Sequence, residues 1–254
     1  MTKLSHVVDI CRYPVKGLSP ENLRRVELTK DATLPFDRAY AIENGKSRFN
    51  PARPEYLPKI NFLMLMRNER MASLKTGFDD VTHELTIDLA GKRVAQGVLD
   101  TSEGRRSIED FIADYMADEL NGPPKIVHAL NHSFSDVSAK CLHIINLASL
   151  RELERLMGKS IDPLRFRANL IIDGPEPFSE LEWPGRTMKS NDIELKVFKR
   201  TQRCPATNVD PVNGVRDMTI PDLLFEHFGH RDFGIYANVE AGGVLEKKAA
   251  FALL

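Results

Sequence analysis

The sequence predicts an α+β fold: a mostly antiparallel, barrel-like domain over residues 111–254 packed against a smaller β-rich domain over residues 1–110. Three observations carry this. The first hundred residues read as short apolar runs cut by turns, with no helix between them. Helical periodicity is confined to three stretches. Strand patterns resume between and after those stretches, down to the C-terminus.

In chain order, strands are expected at Val7 to Val15, Val26 to Thr29, Arg38 to Glu43 and Asn61 to Arg67, followed by a pair around the turn Ala90-Gly91-Lys92. In the first arm of that pair Leu85, Ile87 and Leu89 alternate with Thr86 and Asp88, the period of a strand with one buried face. The first helix is expected from a Ser107 cap, with Ile108, Phe111, Ile112, Tyr115, Met116 and Leu120 on one stripe until Gly122 and Pro123 stop it. Strands at Lys125 to Leu130 and Cys141 to Ile145 come next. A helix from Ala148 to Gly158 carries Leu150, Leu153, Leu156 and Met157. Further strands are read at Ala168 to Asp173, Ile193 to Lys199 and Ile235 to Val239. Thr219 and Pro221 open a short third helix that ends at Gly229. No linker separates freely moving domains, so the two parts are expected to share an interface.

A chain of 254 residues, 42% hydrophobic and 28% charged, with 15 Gly and 15 Pro dispersed, has the composition of an ordinary globular protein. Thirty-five Lys and Arg against 36 Asp and Glu give a net charge of −1, so no overall field favours nucleic acid and any anion site must be local. No apolar h-region opens the chain and no run is long enough to span a bilayer, which predicts a protein of the cytoplasm with no membrane contact. Three cysteines without a C-x-x-C pair make neither a disulfide framework nor a closed zinc site.

Those cysteines differ in their surroundings. Cys11 and Cys141 fall in or beside apolar strand runs, as small buried hydrophobes do. Cys204 follows Lys199-Arg200-Thr201-Gln202-Arg203 and precedes Pro205. Cationic neighbours at a strand end suit a reactive or metal-ligating thiol, while a bystander on a solvated basic strand fits the same residues. Lys16, Arg38, Arg165, Arg167 and Asn169 form a second, dispersed set suited to a phosphorylated heterocycle if the fold gathers them. No nucleophile elbow, P-loop or dinucleotide fingerprint occurs. The stretch Asn208 to Gly214 reads first as a polar turn, and His227 with His230 lacks a third ligand at a telling distance.

Taken in order, the segments Tyr13-Pro14-Val15-Lys16-Gly17, Asp37-Arg38, Phe134-Ser135-Asp136, Ala148-Ser149-Leu150, Arg165-Phe166-Arg167-Ala168-Asn169 with Asp173-Gly174, Glu182-Trp183, Arg203-Cys204, Val209 to Gly214 and Phe233-Gly234 resemble the MOSC family, with its β-rich N-terminal domain in front. The resemblance extends to the bacterial members and the amidoxime-reducing proteins. It implies a molybdenum cofactor (molybdopterin) in a cationic cleft between the domains, with Cys204 as metal ligand and Asp210 near the metal. It implies that Lys16, Arg38, Ser149, Arg167, Asn169 and Arg203 hold the pterin and its phosphate. The implied activity is reduction of small N-hydroxylated substrates, with electrons from a separate reductase because no iron-sulfur cysteines follow. A rival implication is a sulfur carrier in which Cys204 holds a persulfide. Glu246-Lys247-Lys248 replaces the family's usual Gly-Asp, which leaves the geometry of the last strand open.

Overall fold

The computed structural model describes residues 4–45 and 48–254. The first part of the chain contributes strands β1 (Ser5–Arg12), β2 (Glu21–Leu23), β3 (Arg25–Leu28), β4 (Tyr40–Asn44), β5 (Lys75–Phe78), β6 (Glu84–Leu89) and β7 (Lys92–Val98), then helix α1 (Ser102–Tyr115) and β8 (Pro124–His128). The remainder runs β9 (Leu142–Asn146), α2 (Leu147–Met157), β10 (Leu170–Asp173), β11 (Thr187–Ser190), β12 (Ile193–Gln202), α3 (Ile220–Phe228), β13 (Asp232–Ala241), β14 (Gly243–Glu246) and β15 (Ala250–Leu253).

Seven strands close a barrel in the order β10-β9-β13-β12-β11-β15-β1, with β1 pairing back onto β10. Only β9 and β10 run parallel in it, joined through α2 as a parallel pair requires. Alternation fills the interior. Ile193, Leu195 and Val197 from β12 meet Ile235, Ala237 and Val239 from β13, with Val7 and Ile10 from β1. Strand β9 is buried along its whole length because its other face carries Ile145 into a second cluster under α2 and α3, with Leu150, Leu153, Ile220 and Leu224. The last strand forms normally. Lys248 takes the left-handed backbone conformation at φ 72° and turns the chain from β14 into β15, which pairs with both β11 and β1.

The other unit is the hairpin sheet β5-β6-β7 with α1 laid across it, beside a β4–β8 ribbon. Leu85 and Ile87 face Ile108, Ile112 and Met116, one stripe at helical spacing. The sequence places α1's cap at Ser107, six residues late. Thr101 is the cap, its hydroxyl accepting from the Gly104 amide at 3.0 Å, while Ser107 donates to the Gln96 carbonyl. Gly104 inside the first turn hid the helical start. The strand expected over Asn61 to Arg67 is instead a tight turn at Lys59–Asn61 followed by loop, with one bridge between Glu43 and Phe62.

The division of the chain differs from the expected one at residue 110, which falls in the middle of α1. Ile112, Met116 and Ile126 still belong to the first unit's core, so that unit extends through β8, whereas β1 leaves it to complete the barrel.

Candidate functional site

At the end of β12 the chain leaves the sheet, and Cys204 adopts an extended conformation ahead of a short turn at Pro205–Asn208. Pro205 ends the ladder by its missing amide, and the Thr207 amide and hydroxyl both donate to the Cys204 carbonyl. The half-buried sulfur thereby lines a cleft of about 250 Å³ between the two units. Eight of the lining side chains are Lys or Arg and one, Asp136, is acidic. Lys16, Arg38 and Lys59 come from the first unit; Arg165, Arg167, Lys199, Arg200 and Arg203 come from the second. A chain of net charge −1 thus concentrates positive charge in one place.

Asp136 is held by two ammonium groups. One oxygen accepts from Lys16 and the other from Lys59 at 3.3 Å, and Lys16 also donates to the Phe134 carbonyl at 2.8 Å. Burial alone would raise the carboxyl's pKa, but Lys16 and Lys59 overrule it and hold Asp136 well below the usual carboxylate range. Lys59 Nζ also donates to Cys204 Sγ at 3.5 Å. Arg38 and Arg167 both take left-handed backbone conformations and lie over the Tyr13 ring, at 4.4 and 4.2 Å. Arg38 is spent on Asp37 and on the Arg167 carbonyl, whereas Arg167 Nη1 donates to the Leu18 carbonyl and its Nη2 is buried without a partner among the described residues. Burial lowers the Arg167 pKa to about 10, which leaves it charged at neutral pH. Arg203 donates to His143 and to the Phe166 carbonyl, and its Nε is buried with no partner among the described residues. With Arg165 Nε, three guanidinium nitrogens of the cleft are buried with no acceptor among the described residues, and an anionic ligand would satisfy them.

Lys16, Arg38, Arg167, Asn169, Arg203 and Cys204 therefore share one cleft. Asn169 is not free to read a ligand, however: its amide accepts from the His143 N–H at 3.1 Å and donates to the Cys11 carbonyl at 3.1 Å, pinning β1 to β9. Ser149 lies outside the cleft. It is fully buried at the start of α2, donating to Glu180 at 2.7 Å and accepting from the Phe178 amide. Asp210 is also outside. Its carboxylate accepts from the Val212 and Asn213 amides and from Arg165 Nη2 at 3.3 Å, so it closes a polar turn and reaches the cleft only through Arg165. Sequence reasoning missed Lys59, Asp136 and His143 as cleft residues. Asp136 lay within a recognised segment, but Lys59, on an isolated turn, carried no signal. Among the described residues no group of three His, Cys, Asp or Glu is placed to hold a metal. Among them also, no helix is long and apolar enough to cross a membrane.

Burial pushes both the Cys11 and Cys141 thiols up to about 12, leaving them protonated and shielded at neutral pH. Brief iodoacetamide treatment at about pH 7.5 is expected to alkylate Cys204 ahead of either, read by peptide mass spectrometry. Labelling of Cys11 first would contradict this placement.

His143 is buried, and because a guanidinium can only donate, its Nε2 accepts from Arg203 at 3.1 Å and the ring is neutral with its proton on Nδ1. Burial, then Arg203 and Arg38, hold its pKa well below 6.5. The unfolded chain takes up this proton near 6.5 and the folded chain resists it. This contribution to stability is full above 6.5 and is lost as pH falls below it, at up to about 1.4 kcal/mol per pH unit. Urea denaturation between about pH 5 and 7 is expected to show that slope in the native protein and a flatter one in His143→Gln. Equal slopes would assign the pH dependence to other groups.

Comparison with known proteins covers both units. The MOSC N-terminal beta barrel domain matches residues 4–123, and the MOSC domain matches residues 129–250. The molybdenum cofactor sulfurase of Caenorhabditis briggsae is 31% identical over 259 residues, covering 97% of this chain and 36% of that protein. The mitochondrial amidoxime reducing component 2 of Rattus norvegicus is 28% identical over 134 residues, covering 48% of this chain and 39% of that protein. The chain spans between a third and two fifths of the length of these curated relatives. Among solved structures, the YuaD protein of Bacillus subtilis aligns over 100% of this chain and 96% of its own, with 12% identity and a TM-score of 0.45.

Proposed function

Because the chain belongs to the MOSC family, a MOSC domain preceded by a MOSC N-terminal β-barrel domain, we propose that its cationic cleft holds the molybdenum cofactor with Cys204 as the metal's protein ligand. The observation that carries this reading is the convergence of a half-buried sulfur with eight cations, three of whose guanidinium nitrogens have no partner among the described residues, on one cleft. A thiolate is a soft ligand suited to molybdenum already bound by pterin sulfurs. Arg167 and Arg203 would donate to the anionic part of the cofactor, and Lys16 with Lys59 would neutralise its charge. When bound, the cofactor supplies two-electron chemistry. The chain's own residues bind, orient and screen: Arg203 is fixed by His143 and Phe166, Arg38 by Asp37, and neither needs to reorganise when a ligand enters.

The reaction proposed is reduction of a small N-hydroxylated compound, with electrons delivered by a separate reductase. The test is metal analysis of protein made in a cofactor-producing host, with turnover of an N-hydroxylated amidine driven by a reduced viologen dye. About one molybdenum per chain with turnover supports the proposal. A second reading, sulfur carriage as a persulfide on Cys204, is favoured by the extent of similarity, since the sulfurase relatives align with 94% and 97% of this chain. Labile sulfane sulfur without metal would support that reading. Neither metal nor sulfane sulfur would overturn both.

A further inference from the structure

The cleft contains one element of the wrong sign. Asp136 is the only acid among its lining residues, and it sits between the ammonium groups of Lys16 and Lys59. The two sides of this contact differ in their freedom. Lys16 is 8% exposed and anchored a second time on the Phe134 carbonyl, whereas the Asp136 side chain is 46% exposed and projects from the connection between β8 and β9, which near it has neither helix nor strand. The group able to leave is the carboxylate, and the lysines would stay. The same cleft keeps Arg165 Nε, Arg167 Nη2 and Arg203 Nε buried and without acceptors among the described residues, so the protein's own anion satisfies only part of the site.

We propose that the Asp136 carboxylate occupies the seat of a ligand's phosphate group, and that an incoming phosphate displaces it and takes both Lys16 and Lys59 as holders. The inference rests on reading the cleft as an anion site and adds an occupant and a residue to it. A phosphate carries more charge and more acceptor oxygens than a carboxylate, so it satisfies two ammonium groups better and leaves oxygens over for a third donor. Asp136 keeps the two lysines from facing each other uncompensated while no ligand is bound. Lys59, which the second oxygen holds beside Cys204, passes from an internal ion pair to the ligand.

Isothermal titration of the full chain with inorganic phosphate tests this, with thermal melts confirming that each variant is folded. Asp136→Asn is expected to bind phosphate about tenfold more tightly than the native chain, the scale of one exchanged charge-assisted hydrogen bond. Lys59→Met is expected to weaken it by a similar factor, and Lys59→Arg to restore it. In a phosphate-soaked crystal the anion should lie between the two Nζ atoms with the Asp136 carboxylate turned to solvent. Affinities unchanged by Asp136→Asn and Lys59→Met, or an anion bound elsewhere with the Asp136–Lys16 pair intact, would overturn the proposal. Cofactor-loaded protein distinguishes the source of the phosphate. Loss of inorganic phosphate binding on loading assigns the seat to the cofactor's own phosphate, and undiminished binding assigns it to a free phosphate. These readouts are independent of molybdenum at Cys204, so a chain that exchanges Asp136 for phosphate yet never retains metal keeps this inference and loses the cofactor reading.

Discussion

Cys204→Ser is expected to lose molybdenum and turnover together while melting at the native temperature. The sulfur sits half-buried on the cleft wall, and the backbone around it is held by Thr207 and Pro205, not by the thiol. Serine is close in size and its hydroxyl can be solvated there, so stability should change by no more than about 0.5 kcal/mol. The hydroxyl is a poor replacement for a soft thiolate, and loss of the proposed metal ligand should lower metal retention and turnover at least about a hundredfold. Elemental analysis and a dye-coupled assay on the same preparation check both. Cys11→Ser provides the contrast: a hydroxyl placed in the barrel wall without a new partner should cost roughly 1–3 kcal/mol and leave the metal bound. Full turnover by Cys204→Ser would remove the ligand role.

Gly104→Ala should destabilise the first unit, against what helix propensity alone predicts. On an exposed helix surface this change stabilises by about 1 kcal/mol. Here a Cβ on Gly104 would stand 2.1 Å from the Val98 carbonyl oxygen and 2.4 Å from its amide nitrogen, and a Cβ on Gly97 would stand 2.2 Å from the Gly104 carbonyl oxygen. The first turn of α1 and the end of β7 meet backbone to backbone, with no flexible side chain to give way. Pushing the helix off its sheet should cost about 2–3 kcal/mol, a fall of roughly 6–10 °C in melting temperature. A melting temperature that rises would show that the two backbones are farther apart than described.

The strand alternation at Leu85, Ile87 and Leu89 and at Ile193 to Val197 was legible because period two states which face is buried, and local neighbours decide it. The start of α1 was not, because the glycine that permits its close approach also lowers its helical signal. Cys204 stood out because its basic neighbours are adjacent in sequence. Lys59 did not, because its relation to Cys204 exists only after a turn in one unit is brought against a strand end in the other. Ser149 shows the converse: a motif position fixes a residue's place along the chain but not which side of β9 it faces, and its hydroxyl went to Glu180. Asp210 kept the turn role that its residues alone indicated, and Asn169 gave both ends of its amide to the backbone. The family resemblance located the cleft, and elementary chemistry separates those of its residues with unspent donors from those already committed.

Ser5 pairs with Phe251 and His6 with Ala250, so the first strand of the barrel is sealed by the last. During synthesis on a ribosome, β1 emerges long before β10 and β15, so its barrel pairing waits until those two strands have been made. The hairpin sheet and its helix, built from contiguous chain, can fold before those strands are made. The same adjacency lets a short engineered tether join β15 to β1, with new chain ends opened in an exposed turn.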